Sequence, residues 1–212
     1  MHKYIIMGVQ GCGKGTQAKM LAKDLDLVHI SVGDIFRWHI QSHTKLGARI
    51  RRFTTTGELV PDEVVEEVVK GRLEMHDWNY GFILDGFPRN RHQAAFFLES
   101  YNIDAVILIE VPDLIVCERI MNRRLCVKCG LDYNLIFHRP AQEDICDVCG
   151  GQLVARADDT PEVIQSRLQD YHGKTAPILH LFRQKELVVV VDGTHSKAKV
   201  QDEIREQLGL TS

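Results

Sequence analysis

The stretch Gly8-Val9-Gln10-Gly11-Cys12-Gly13-Lys14-Gly15-Thr16 constrains this chain more than any other. It follows the apolar run Tyr4-Ile5-Ile6-Met7 and precedes a helical stretch, Gln17 to Leu25, so it joins a strand to a helix. In that context it fits the G-x-x-x-x-G-K pattern. Its glycines let successive backbone N–H groups turn inward, the helix N-terminus adds partial positive charge, and Lys14 supplies a full one. The combination grips a polyphosphate. The commoner form places Ser or Thr directly after the lysine, whereas here Gly15 intervenes and Thr16 follows.

Further short apolar runs recur at Val28-His29-Ile30, Phe82-Ile83-Leu84, Ala105 to Ile109 and Leu187 to Val191, and read as strands buried on both faces. Helical spacing fills the intervals, as in Val64, Val65, Val68 and Val69 after Pro61, a residue suited to a first helical turn. The βαβα alternation predicts an α/β fold with a parallel sheet covered by helices and ligands gathered beyond the carboxyl ends of its strands. From about Leu125 to Ala155 the rhythm breaks into a Cys-, Gly-, Asp- and Pro-rich stretch, which reads as an insertion. Helices are expected on either side, from Asp113 to about Arg124 and from Pro161 to about Tyr171, the second capped by Thr160.

Within the insertion, Cys126-x2-Cys129 and Cys146-x2-Cys149 lie 16 residues apart, inside the spacing of a four-cysteine tetrahedral zinc site. Gly130 and Gly150 follow the second thiol of each pair and suit tight knuckles. With all four positions supplied by protein, such a metal is structural, standing in for the core that a short insertion lacks. The spacing alone leaves iron–sulfur ligation open. A disulfide frame is disfavoured because the N-terminus has too short an apolar run for a signal peptide, which makes a reducing, cytoplasmic address the expectation. His138 reads as solvated, and Cys12 and Cys117 as small apolar packing residues.

A zinc ribbon raises the possibility of nucleic-acid binding. Against it, Lys128 and Arg139 face Asp132, Glu143, Asp144 and Asp147 between the first and last cysteines, and the whole chain carries 26 Lys+Arg against 29 Asp+Glu. Neither balance attracts a phosphate backbone. No apolar run approaches the ~20 residues that cross a bilayer. Neither nucleic acid nor membrane is therefore an expected partner, and any anion site must be local.

Two strand ends offer carboxylates for magnesium or its waters, Asp85 and Asp192. Asp192 precedes Gly193 and reads as a turn residue. Asp85 is followed by Gly86-Phe87-Pro88-Arg89, which sets a guanidinium fork at the same sheet edge, suited to a second phosphate. Arg119 and Arg123, four apart on the expected helix, would share one face, with Arg124 adjacent and Arg156 and Arg167 beyond the insertion. Like charges so placed repel unless an anion lies between them. Asp158 and Asp159 stand close by as partners.

The loop from Gly8 to Thr16, Asp85-Gly86-Phe87-Pro88-Arg89 and the paired arginines together resemble the adenylate kinases of the long form with a zinc-bearing lid, over Tyr4 to about Leu208. The resemblance implies a P-loop nucleoside monophosphate kinase converting ATP and AMP into two ADP with Mg²⁺, and it is expected to act as a monomer. It implies a core of residues 1–124 and 156–212, a monophosphate-binding segment around 31–61, and a lid of 125–155. ATP would lie against Gly11, Cys12, Gly13, Lys14, Gly15, Thr16, Arg119 and Arg123, with Asp85 on the magnesium waters. AMP would meet Val32, Arg37, Leu59, Val60, Gly86, Arg89, Gln93, Arg156 and Arg167, while Lys14, Arg89, Arg123, Arg156 and Arg167 would hold the migrating phosphate. Three residues depart from the family pattern: Val32 replaces a usual Thr, Gln10 a usual Pro and Asn122 a common Gly. Gln93 favours adenine because an amide pairs with both a donor and an acceptor. Cytidine- and uridine-type acceptors remain the alternative substrates. The rival classes are a P-loop GTPase switch, disfavoured by the lack of an Asn-Lys-x-Asp motif, and a zinc-ribbon P-loop adaptor.

Overall fold

The computed structural model describes residues 2–77 and 80–210. Five parallel strands form the central sheet: β1 (Lys3–Met7), β2 (Val28–Ser31), β3 (Phe82–Asp85), β4 (Ala105–Glu110) and the last in the chain, Val188–Asp192. A parallel neighbour can be reached only through a crossover, and helices supply it: α1 (Lys14–Asp24), α2 (Val32–Gln41), α3 (Lys45–Thr56), α4 (Asp62–Glu74), α5 (Arg91–Ser100) and α6 (Asp113–Met121) lie between the first four strands and beyond them. A small antiparallel sheet follows, of β5 (Arg123–Cys126), β6 (Asp132–Asn134) and β7 (Leu153–Val154). The chain then returns through α7 (Pro161–Asp170), a π-helical turn over Tyr171–Thr175 and the short α8 (Leu179–Arg183) to β8 (Val188–Asp192), and ends with α9 (Lys197–Gln207). The strand order is β2-β3-β1-β4-β8.

Side-chain alternation along the strands splits the core in two. Ile5, Met7, Leu84 and Leu108 face one layer with Leu73 and Phe97, whereas Tyr4, Ile6, Ile83 and Ile107 face the other with Leu21, Ile120 and Ile204. The expected two-faced burial holds for β1, β3 and β4 but not at the sheet edges. On β8 only Val191 is fully buried, and Val190 is 42% exposed.

Two local expectations are corrected. Pro61 caps α4 from outside the helix and does not occupy its first turn. The helix expected to reach Arg124 stops at Met121, where Asn122 donates its backbone N–H to Glu118 and its carbonyl accepts the Leu135 N–H at 2.9 Å. The chain then runs extended as β5, with Arg123 to Leu125 pairing with β6 and Leu125 and Cys126 with β7. Arg119 and Arg123 therefore do not share a helical face, although both reach the same cleft. The Thr160 cap is present, with its side chain accepting the Val163 N–H at 3.4 Å.

Candidate functional site

All residues assigned from the sequence to nucleotide or magnesium line one cleft of about 960 Å³ at the carboxyl ends of the strands, and none of the four metal-candidate cysteines does. The loop after β1 forms its floor. Gly8 has φ 141° there, and a Cβ on it would lie 2.4 Å from the Ile109 carbonyl oxygen, so only glycine lets this loop rest directly on β4. The Lys14 ammonium folds back over the loop and donates to the carbonyls of Gly8 and Val9, both at 2.8 Å. Cys12 is buried in the core beneath, as its small apolar reading requires.

Asp85 ends β3 in register with Ile6 and Ser31, only 9% exposed. Gly15 sits against it: a Cβ there would stand 3.4 Å from Asp85 Oδ2. His29 Nε2 lies 3.6 Å from the same oxygen, a neighbour that strand patterning did not single out. A buried carboxylate oxygen facing the phosphate loop has the chemistry that a magnesium water shell requires. Asp192, by contrast, accepts the Thr194 N–H at 2.8 Å, as a turn residue does.

Five guanidinium groups converge on the cleft, each oriented by oxygen acceptors. Arg37 pairs with Asp34 one helical turn away, and Arg89 Nε donates to the Gly86 carbonyl at 2.9 Å. Asp159 holds Arg123 with both oxygens, at 2.9 and 2.5 Å. Asp132 receives Arg156 Nη2 at 2.8 Å. Arg167 donates to Asp158 at 2.6 Å, to Gln10 Oε1 at 2.9 Å and to the Thr54 carbonyl at 3.3 Å. Mutual repulsion is felt: Arg89 opens onto the cleft, yet desolvation by the surrounding protein, then Arg167 and Arg37, hold it below the usual arginine range. Desolvation followed by Arg123 and Arg37 does the same to Arg156. For Asp158, burial acts upward, but Arg167, Arg37 and Arg156 outweigh it and lower its pKa. Arg119 lies apart from this group, donating to the Gly193 carbonyl at 2.9 Å with its guanidinium carbon 5.5 Å from the Phe137 ring centroid.

At the other end, Val32 and Val60 present buried apolar walls, with Leu59 half-buried beside them. Gln93 is buried, and its amide is already oriented: Oε1 accepts the Arg89 N–H at 2.8 Å and Nε2 donates to Asp62 at 2.7 Å. One N–H and one lone pair remain for a base. Asp62, which also accepts from Asn90 at 2.7 Å, carried no sequence signal beyond its place in the first turn of α4. Asp132 was counted only as a charge, yet it joins the small sheet to the core through Lys19 at 3.9 Å as well as through Arg156.

The sulfur atoms of Cys126, Cys129, Cys146 and Cys149 all lie within 4.8 Å of one another. Cys126 and Cys149 are 3.4 Å apart, and Cys129 and Cys146 3.6 Å. Zinc–thiolate bonds of about 2.3 Å in a tetrahedron set sulfurs roughly 3.8 Å apart, so the donor set fits zinc. Gly130 and Gly150 adopt φ 72° and 65° and return their N–H groups to the carbonyls of Cys126 and Cys146, which closes the two knuckles. Burial opposes ionisation of Cys146, but the Tyr133 hydroxyl and the N–H groups of Cys149 and Val148 prevail and bring it down to about 6. Cys149 moves the other way: the Gly151 N–H acts downward, but the Cys129 thiol, burial and the Cys126 and Cys146 thiols outweigh it and push it up to about 12. His138 is exposed and stacks on Tyr133, with ring centroids 5.0 Å apart, outside the ligand set.

Known proteins resemble this chain along its whole length. A family model described as adenylate kinase matches residues 6–187. The chain is 42% identical to an adenylate kinase of Caldicellulosiruptor bescii over 98% of its own length and 99% of that protein's. It is 43% identical to an adenylate kinase of Clostridium tetani over 97% of each chain. A third, from Lachnoclostridium phytofermentans, is 42% identical over 98% of each. Among the described residues no helix is long and apolar enough to cross a membrane.

Proposed function

With the chain belonging to the adenylate kinase family, whose members are phosphotransferases acting on nucleoside monophosphates, we propose that its cleft seats ATP and AMP with their phosphates facing and converts them into two ADP. The convergence of five arginines above a glycine loop bearing Lys14 carries this reading. Cations that repel one another across the cleft gain most from a ligand with two phosphate chains. ATP lies along Gly11 to Thr16, with Arg119 beside its base, and AMP reaches Arg37, Arg89 and the oriented amide of Gln93. Lys14, Arg123, Arg156 and Arg167 take the charge on the migrating group.

The acceptor needs no general base, because a phosphate with a second pKa of about 6 is mostly dianionic at neutral pH. The work of the protein is alignment, charge neutralisation and exclusion of water. In the division proposed here, residues 1–124 and 156–212 form the core, 31–61 the acceptor segment and 125–155 a lid that closes over the phosphates. Asp85 would hold the water shell of a magnesium ion, which would supply charge neutralisation to the triphosphate. Zinc held by Cys126, Cys129, Cys146 and Cys149 supplies the lid's rigid centre and leaves no open position for substrate.

The test is ADP formation from ATP with AMP, CMP, UMP or GMP, with and without Mg²⁺, for the wild type and Lys14→Met. AMP should be the fastest acceptor, Mg²⁺ should be required, and Lys14→Met should remove turnover while leaving the melting curve intact. Faster use of CMP or UMP would assign the alternative substrate. ATP hydrolysis at full rate without a second nucleotide would defeat the two-nucleotide reading.

A further inference from the structure

We propose that Gln10 is a positioning residue, one amide that ties the phosphate loop to both Arg123 and Arg167 and holds their guanidinium planes ready for the transferred phosphate. The inference rests on the proposed role of those two arginines and adds a residue that no phosphate contact requires.

Gln10 is half-buried in the loop, two residues after Gly8 and directly before Gly11. Its Oε1 accepts from Arg167 Nη1 at 2.9 Å. Its Nε2 donates to Asp159 Oδ1 at 3.4 Å, and the Asp159 side chain, 2% exposed, in turn clamps Arg123. The loop thus touches one arginine directly and the other through its carboxylate. These partners lie 149 and 157 residues away in sequence, so the amide fastens the loop to the segment that returns from the small sheet.

An amide is suited to this place by its two ends. It must accept from a cation and donate to an anion at once, which a carboxylate, an ammonium or a thioether cannot do. It also orients Arg167 without cancelling its charge, as a second carboxylate beside Asp158 would. A guanidinium carries about 2 kcal/mol of side-chain rotamer entropy, and restraint before the nucleotide arrives removes that cost from the reacting complex. Because Arg167 also reaches the Thr54 carbonyl at the end of α3, the tie extends to the segment proposed to hold the acceptor.

The experiment compares Gln10→Met, which keeps volume and loses both hydrogen bonds, with Gln10→Glu, which keeps the acceptor for Arg167 but opposes Asp159. Steady-state ADP formation and the melting midpoint of each purified protein are measured. Gln10→Met should lower kcat about tenfold, the scale of a lost hydrogen bond to a charged group, with KM for ATP and AMP within about twofold. Gln10→Glu should lower kcat at least about threefold, because the new carboxylate repels the Asp159 carboxylate that positions Arg123. Should Gln10→Met melt too early for assay, Gln10→Glu decides alone. A kcat within twofold of wild type in the assayed variant, or a loss confined to KM, overturns the proposal. Arg123→Lys and Arg167→Lys separate the two levels: if these keep the wild-type rate, the phosphate role of the arginines fails. If they lose it while the Gln10 variants do not, only the tie fails.

Discussion

Gly15→Ala should raise stability and lower activity, a split that tests the proposed seating of the triphosphate against Asp85. Gly15 occupies the second position of α1 with no need for a positive φ, so alanine fits its backbone. Replacing a helical glycine stabilises by about 0.5–1 kcal/mol. For a chain of this size that corresponds to roughly 1–4 °C in the melting midpoint. The added methyl meets a single heavy atom within 4 Å among the described residues, Asp85 Oδ2 at 3.4 Å. At that distance it covers one face of the carboxylate without a clash and excludes the water there. Losing one charge-assisted hydrogen bond costs about 2 kcal/mol, so kcat/KM for MgATP should fall roughly 30-fold. Calorimetry of the nucleotide-free protein and a magnesium titration of ADP formation read the two halves separately. A stabilised variant with wild-type kcat/KM and magnesium dependence would show that this oxygen does not face the metal. Destabilisation by more than about 1 kcal/mol would mean that the space beside Asp85 is not free.

Cys146→Ser should lower bound zinc, measured by atomic absorption, and melt the small sheet before the core, since apart from the cysteines its buried apolar cluster holds only Tyr133 and Leu153; unchanged metal content would contradict the site. The Asp158–Arg167 pair should make stability depend on acid: a carboxylate whose folded pKa is lowered stabilises above its unfolded value of about 4 and loses that contribution as pH falls through the folded value. Asp158→Asn should therefore cost about 1–2 kcal/mol near neutral pH and progressively less as the pH falls below about 4, and a cost that does not change with pH would place the effect in packing.

The central sheet was legible because its information is local. Uninterrupted apolar runs marked β1, β3 and β4, and loop glycines marked the turn between β1 and α1. The Cys-x2-Cys pairs were legible for the same reason, since each knuckle closes within a few residues. The reading failed at α6, where residues 119–124 carry no helix-breaking residue. There the helix ends because β5 finds strand partners on both sides, one of them about thirty residues downstream. Gln93 was found through the resemblance, but its orientation was not, because that is set by Asp62 and by a backbone N–H.

From residue order alone come the phosphate loop, the parallel α/β scheme, the thiol ligand set and the excess of arginine around the insertion. Tertiary structure decided which acceptor holds each arginine: Asp159 for Arg123, Asp132 for Arg156, and Asp158 with Gln10 for Arg167. The reason is physical. Periodicity records how a segment satisfies its own backbone and which face it buries, whereas a long charged side chain has several partners within reach. The choice among them follows from strand order and from where the small sheet comes to rest.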